Sequence, residues 1–434
     1  MPSVGRFGGL LDCMSSTPKV VITGMGVVCP IGVGKAAFWE SLCAHRSGVR
    51  PCHFLDGTDM PVRFGAELIG FDAKQYVRPR KSLKVMCREI QMGFAASVLA
   101  AEDARLAADS VDPDRLGAVF GSEMFYGELE ELEEVYRNCM PNGHFEFDRW
   151  GPRAMSDLFP LWMLKYLPNM AACHIGIAHD ARGPNNTITL GEASSLLAIT
   201  EAVRVIERGM ADVMITGGTG SRLNVTAMMY RGDGNLSHRN DDPAAASRPF
   251  DSARDGMVNG EGAGAFIVER YEHAVARGAS ILAELRGCGG AFEPGPPGSP
   301  RTGIGMRHAI QRALEDAEVT PSEIGHVNAH GLSTIEDDAA EAQVIRECLG
   351  DTPVTALKSY FGNLGAGGGT VEMAASLLAF EHGHVPPTLN YERPDPLCPI
   401  HVIHGAPAPV QSPVALILNQ SGTGQAAALV IAAP

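Results

Sequence analysis

The stretch PFDSARDGMVNGEGA, Pro249–Ala263, decides the reading of this chain. It opens on Pro249-Phe250-Asp251, continues as Arg254-Asp255-Gly256 and closes on Gly260-Glu261-Gly262-Ala263, with LSHRNDDP, Leu236–Pro243, just upstream. Three further stretches stand out on either side. Asn328-Ala329-His330-Gly331 sets a histidine on a glycine turn. Lys358-Ser359 is followed by Gly362-Asn363 and then Glu372. GPNNTITLGEASSLLAI, Gly183–Ile199, runs from a short polar segment into an apolar helix. A glycine-rich turn or a single histidine is usually structural. The weight lies in four such stretches occurring in one chain in a fixed order.

Outside these stretches, short apolar runs alternate with longer amphipathic ones. Lys19–Val28, Leu116–Phe120, Val213–Thr216 and Gly264–Val268 read as strands, and Glu89–Ala104 and Ser194–Arg208 as helices. A second cycle begins near Ile281. It has helices at Met306–Ala317, Asp338–Cys348 and Val371–His382, and strands at His326–Ala329, near Val402 and at Ala415–Leu418. The alternation indicates an α/β protein built of two packed halves. Phe292–Arg301, FEPGPPGSPR, is the most loop-like segment and falls inside the second half.

The four stretches, taken in order, resemble the motifs of β-ketoacyl-acyl-carrier-protein synthases, the ketosynthases of the thiolase superfamily. Pro249–Ala263 is similar to PFDxxRDGFxxGEGA, Asn328–Gly331 to the NAHGT turn, Lys358–Glu372 to KSxxGHxxGAAGxxE, and Gly183–Ile199 to the elbow GPxxTVxTACSSSLxAI. The likeness runs from about Lys19 to the end. It implies a thiolase fold of two packed α/β halves in a layered αβαβα arrangement. Residues 1–18 would then be a leader, or Met14 the true start. The N-terminal half would span 19–270 and carry the elbow. The C-terminal half, 271–434, would carry the His/Asn site.

The likeness breaks where the chemistry of the family resides. Its elbow holds a cysteine whose thiol is activated at a helix N-terminus; here that position is Glu192. Ser194 and Ser195 continue the motif's serine pair, and helix N-terminal hydrogen bonding is the reading preferred for them. A carboxylate would form a reactive anhydride rather than a thioester, so self-contained Claisen condensation is not expected. The first site histidine is His330 and the second is replaced by Asn363, an amide that can donate a hydrogen bond but carries no proton. His–Asn is also the set used by the branch of the family that primes from acyl-CoA, while drift at a dead site gives the same pattern. Lys358, Glu341 and Glu372 match the family's polar network, a structural role for paired buried charges. The family's NSFGFGGTN loop appears as Asn419–Ala427, NQSGTGQAA. Gly422 and Gly424 keep the oxyanion turn, and Thr423 replaces the gating aromatic.

Composition limits partners and compartment. The net charge of −15 argues against general nucleic-acid binding. Ten scattered cysteines without a CxxC pair read as reduced core residues of a cytoplasmic protein, with no metal site. No apolar run reaches the ~20 residues that span a bilayer. One basic cluster, Arg78, Arg80, Lys81, Lys84 and Arg88, offers a docking rim for an acidic acyl carrier protein, or is an ordinary solvated face. No cofactor is implied beyond the phosphopantetheine that arrives on the carrier. Three functions stay open: a chain-length-factor-like partner of a cysteine-containing ketosynthase, a malonyl-carrier-protein decarboxylase that makes a starter unit, or a thioester acid–base enzyme using Glu192 and His330. The family implies a homodimer or heterodimer.

Overall fold

The computed structural model describes residues 18–107, 110–296 and 301–434. All of the expected leader except Pro18 lies outside the described residues, as do residues 297–300 of the Pro/Gly-rich loop. The first half supplies strands β1 (Val20–Cys29), β2 (Leu116–Gly121), β3 (Asn185–Ile188), β4 (Val213–Ser221) and β5 (Glu261–Arg270). The second supplies β6 (Ala283–Phe292), β7 (His326–Asn328), β8 (Val354–Thr355), β9 (Val414–Gln420) and β10 (Gln425–Ala432). The main helices are α1 (Arg88–Asp103), α2 (Met170–Ala178), α3 (Ser194–Glu207), α4 (Ile304–Ala317), α5 (Ile335–Leu349) and α6 (Gly368–His382).

The halves repeat one topology. From the centre outward the first runs β1-β5-β4-β2-β3 and the second β6-β10-β9-β7-β8. In each, the two inner pairings are antiparallel and the two outer ones parallel. A short antiparallel register, Val21 with Glu284 and Ile22 with Ala283, joins β1 to β6. The same packing device recurs as well. A Cβ on Gly24 or Gly26 of β1 would meet the Ala100 or Ala96 carbonyl of α1 at 2.4 or 2.0 Å. A Cβ on Gly287 or Gly289 of β6 would meet Ala313 or Ala309 of α4 at 2.3 or 1.9 Å. Alanine-rich helices therefore lie directly on glycine-bearing strands in both halves.

Burial explains why the central strands lack polar alternation. β1 is buried along its whole length because helices cover both faces of the sheet. α1 and α2 form one apolar cluster with the outer face of the first half, and α4 and α5 do so with the second. α3 and α6 fill the layer between, and α6 is wholly buried from Gly368 to Ala379. The expected layered α/β architecture is what the chain adopts. Two details differ from the sequence reading. Val402 makes only an isolated bridge to Val354, with no strand around it. The alanine-rich β10 goes unread in the sequence because alanine is a poor strand marker. Among the described residues no helix is long and apolar enough to cross a membrane, and the nine described cysteines are unpaired, six of them buried.

Candidate functional site

Most of the signature Pro249–Ala263 proves to be scaffold, although Met257 and Asn259 reach the cavity described below. Asp251, fully buried, accepts hydrogen bonds from the backbone of Ala253, Glu392 and Arg393 at 2.7–2.8 Å. Arg254 pairs with Asp395 at 2.5 Å and donates to the Thr334 and Ile335 carbonyls at 2.9 and 2.7 Å. These bonds fix the segments that follow β7 and precede α5. Glu261 takes both arms of Arg88, at 2.6 and 2.8 Å. Arg88 remains part-exposed, its side chain 40 % accessible, with its charge already paired. Its guanidinium is held by Glu261 and by the Leu68 carbonyl at 2.7 Å. Arg78, Arg80, Lys81 and Lys84 are exposed.

Five segments line a cavity of about 750 Å³: the β3–α3 turn, the residues after β4, Met257 and Asn259 before β5, the residues after β7, and the β9–β10 turn. The first turn is held by Ser194. Its hydroxyl accepts from the Leu190 N–H at 2.8 Å and donates to the Gly191 carbonyl at 2.6 Å. These bonds tie the turn to itself and do not cap α3, which has no side-chain cap, so the helix N-terminal hydrogen bonding expected of the serine is not what the structure shows. Gly191 has φ +60°, and a Cβ there would lie 3.0 Å from the Ser421 side chain, so the two turns abut. In the β9–β10 turn Gly424 has φ +102° and donates to the Ser421 carbonyl. Gly422 and the exposed Thr423 line the cavity.

Glu192 stands on the β3–α3 turn and is only 7 % exposed. One carboxylate oxygen accepts from Arg222 at 2.5 Å and from the Asn363 amide at 3.2 Å. Asn363 is itself fixed: its side-chain oxygen accepts from Gly365 N–H at 3.0 Å, and its backbone bonds to Val258 and Gly260. Burial alone would raise the Glu192 pKa, but the Arg222 guanidinium, with smaller contributions that include the Asn363 hydrogen bond, outweighs it and brings the group down to about 2. Arg222 also lies 4.0 Å from a Glu123 oxygen, and Arg231 binds that same oxygen at 2.9 Å. A chain of alternating charge, Glu192, Arg222, Glu123 and Arg231, thus starts at the turn.

His330 is 3 % exposed and does not line the cavity, whereas Glu192, Arg222 and Arg231 do. Lys358 lies 3.2 Å from His330 Nδ1, donates to the His330 carbonyl at 2.7 Å and pairs with Glu372. A lysine donor on Nδ1 leaves the imidazole proton on Nε2, a buried atom that makes no hydrogen bond. Burial and then Lys358 push the His330 pKa well below the ordinary histidine range, so the ring is neutral. Glu372 also accepts from Asn419 at 2.7 Å. Glu341 accepts the backbone N–H groups of His330 and Gly331 at 2.7 and 2.8 Å, and burial raises it to about 8. Every candidate except the basic cluster therefore falls in one neighbourhood.

The sequence reading missed Arg222, Glu123 and Arg231, which lie outside all four motifs. Glu123 and Arg222 follow the ends of β2 and β4, adjacent parallel strands beside β3. Opposite charges just past neighbouring strand ends were the available signal. Chemically, a carboxylate held near pKa 2 is ionised at neutral pH, a feeble base and no acid. Among the described residues no group of His, Cys, Asp and Glu is placed to hold a metal ion.

Comparison with known proteins agrees with this architecture. The family model for the β-ketoacyl synthase N-terminal domain matches residues 17–274, and that for the C-terminal domain matches residues 282–392. The chain is 35 % identical over 395 residues to a 3-oxoacyl-[acyl-carrier-protein] synthase 2 of a Synechocystis species, covering 89 % of this chain and 91 % of that one. It superposes on a type II PKS acyl-carrier protein in complex with its ketosynthase bound to the hexaketide, with TM-score 0.84 and 28 % identity, over 96 % of this chain and 100 % of the matched chain. It superposes equally on the ishigamide ketosynthase/chain length factor, with TM-score 0.85 and 27 % identity, over the same shares. With both of its halves matched in order and a relative alike over nine-tenths of the length, the chain belongs to the β-ketoacyl synthase family.

Proposed function

We propose that this chain is a non-condensing member of its family, acting as a chain-length-factor-like partner of a cysteine-containing ketosynthase in fatty-acid or polyketide assembly. In this reading Glu192 occupies the position of the family's nucleophile. The observation that carries it is the ion pair from Glu192 to Arg222, capped by the Asn363 amide. Both donors hold the same carboxylate oxygen, and an ionised carboxylate fixed in a buried ion pair is a weak nucleophile toward an incoming thioester. Asn363, which would polarise a thioester carbonyl, gives one amide N–H to Glu192 and faces the Met257 sulfur at 3.5 Å with the other. His330 is packed away from the cavity. The fold and its surfaces remain, and a partner that shapes a pocket requires only those.

The reading includes an acyl carrier protein whose phosphopantetheine brings the thioester, with Arg78, Arg80, Lys81 and Lys84 as the exposed docking charges. It also includes pairing through the first half. There β3 is an open sheet edge, and Ile177 of the neighbouring α2 is 78 % exposed. The test is co-expression with a cysteine-containing ketosynthase. Glu192→Gln is expected to leave the product length and rate of the pair unchanged per folded molecule. Loss of product would assign Glu192 a chemical role and overturn the reading.

A further inference from the structure

The four-membered charge chain extends the reading just given, on which this inference rests. Glu192, Arg222 and Glu123 are 7, 7 and 5 % exposed. Isolated charges are not buried at that level without compensation. Here each carboxylate has a guanidinium partner, and the Arg231 guanidinium lies over the Tyr126 ring at 5.6 Å. The backbone is shaped to receive the chain. Gly365 has φ +57°, and a Cβ on it would lie 2.0 Å from the Glu123 carboxylate. A Cβ on Gly220, in β4, would lie 3.0 Å from the same oxygen. Glu123 therefore sits against two positions without side chains, on the Asn363–Gly365 turn that also orients Asn363.

We propose that Arg222 is a specificity-determining residue: its guanidinium forms the floor of the cavity, closes the acyl route at position 192, and keeps it closed even if a thiol replaces the carboxylate. The closure is steric and electrostatic. Arg222 and Arg231 both line the cavity, and His330 does not. Removing Glu192 leaves Arg222 with Glu123 4.0 Å away, so the cation keeps a partner and a reason to stay. An apolar acyl chain would then have to lie against a buried guanidinium and strip it of its remaining hydration.

The test uses Glu192→Cys alone and combined with Arg222→Met, offered the thioester of octanoic acid with N-acetylcysteamine, a probe that needs no carrier-protein docking. In the transfer the thiolate at position 192 attacks the thioester carbonyl, the new carbon–sulfur bond forms as the old one breaks, and the released thiol takes up the proton. Intact mass followed by peptide mapping reads acylation at position 192, with wild type as the blank for the native cysteines. The double variant is expected to acylate at least about tenfold faster than the single one, a barrier difference of about 1.4 kcal/mol. Equal rates, whether fast or undetectable, would overturn the assignment.

A melting-temperature cycle keeps the idea falsifiable if a cysteine variant folds poorly. Arg222→Met and Glu192→Gln should each lower Tm, and the pair together should lose less than the sum. Additive losses would sink it. Both readouts leave the partner role aside. A wild-type chain that decarboxylates malonyl-carrier protein would refute the proposed function while leaving the Arg222 result standing.

Discussion

At the scale of residues, the account turns on a carboxylate whose folded pKa is about 2 against an ordinary 4.5. The shift is downward, so the ion pair's contribution is fully present above pH 4.5 and is lost as the pH falls from 4.5 towards 2. A depression of this size corresponds to about 3 kcal/mol. Glu192→Gln should therefore unfold more easily than wild type at pH 7 by about 3 kcal/mol, also the size expected for breaking a buried pair. The gap should close as the pH is lowered through that window. Glu341 and Asp338, raised by burial to about 8 and 7, act in the opposite direction, over pH 4.5–8 and 3.8–7 respectively. They are common to both proteins and drop out of the difference. Denaturant unfolding at a series of pH values checks this, and a gap that does not depend on pH would show that Arg222 does not set the state of Glu192. Glu192 itself was legible because the elbow motif surrounds it. Arg222 was not, because a charge at a strand end has meaning only once the neighbouring strand is placed.

At the scale of elements, the turns carry the site. The Asn363–Gly365 turn binds Glu192 through Asn363 and seats Glu123 against Gly365. Gly365→Ala would add both a positive-φ strain and a 2.0 Å clash with the Glu123 carboxylate. We expect a loss of about 3 kcal/mol. Gly143→Ala is the control. It has φ +74° with nothing within 4 Å, and should lose only about 1 kcal/mol. Equal losses at the two sites would mean that Glu123 moves aside freely. The strongly periodic helices α1, α3 and α4 were readable from spacing. The stretch between β2 and β3 was not. Its helices Leu129–Asn138 and Phe147–Asp157 carry few buried residues, so the sequence holds little core pattern to read. β10 was hidden by its alanines, and the Val402 segment, an apolar pair without a neighbour in register, imitated a strand.

At the scale of the whole molecule, the repeated order 1-5-4-2-3 explains how two halves without visible sequence repeats build one site. Each half brings the ends of its outer parallel strands to the cavity, the first half supplying Glu192 and Arg222, the second the turns that hold His330 and Asn363. No periodicity reveals this, because the repeat lives in strand pairing and in glycine-on-helix packing. The exposed β3 edge and the apolar side chains Phe147, Met155 and Ile177, 76, 88 and 78 % exposed, predict a dimer by light scattering, with itself or with a cysteine-containing homologue. A strictly monomeric chain in both settings would remove the surface on which a partner role depends. The most direct test of the central claim is intact mass spectrometry of malonyl-carrier protein incubated with the purified chain alone. The closed, ionised site predicts no conversion. Acetyl-carrier protein formed by the chain alone, and lost in His330→Ala, would contradict it.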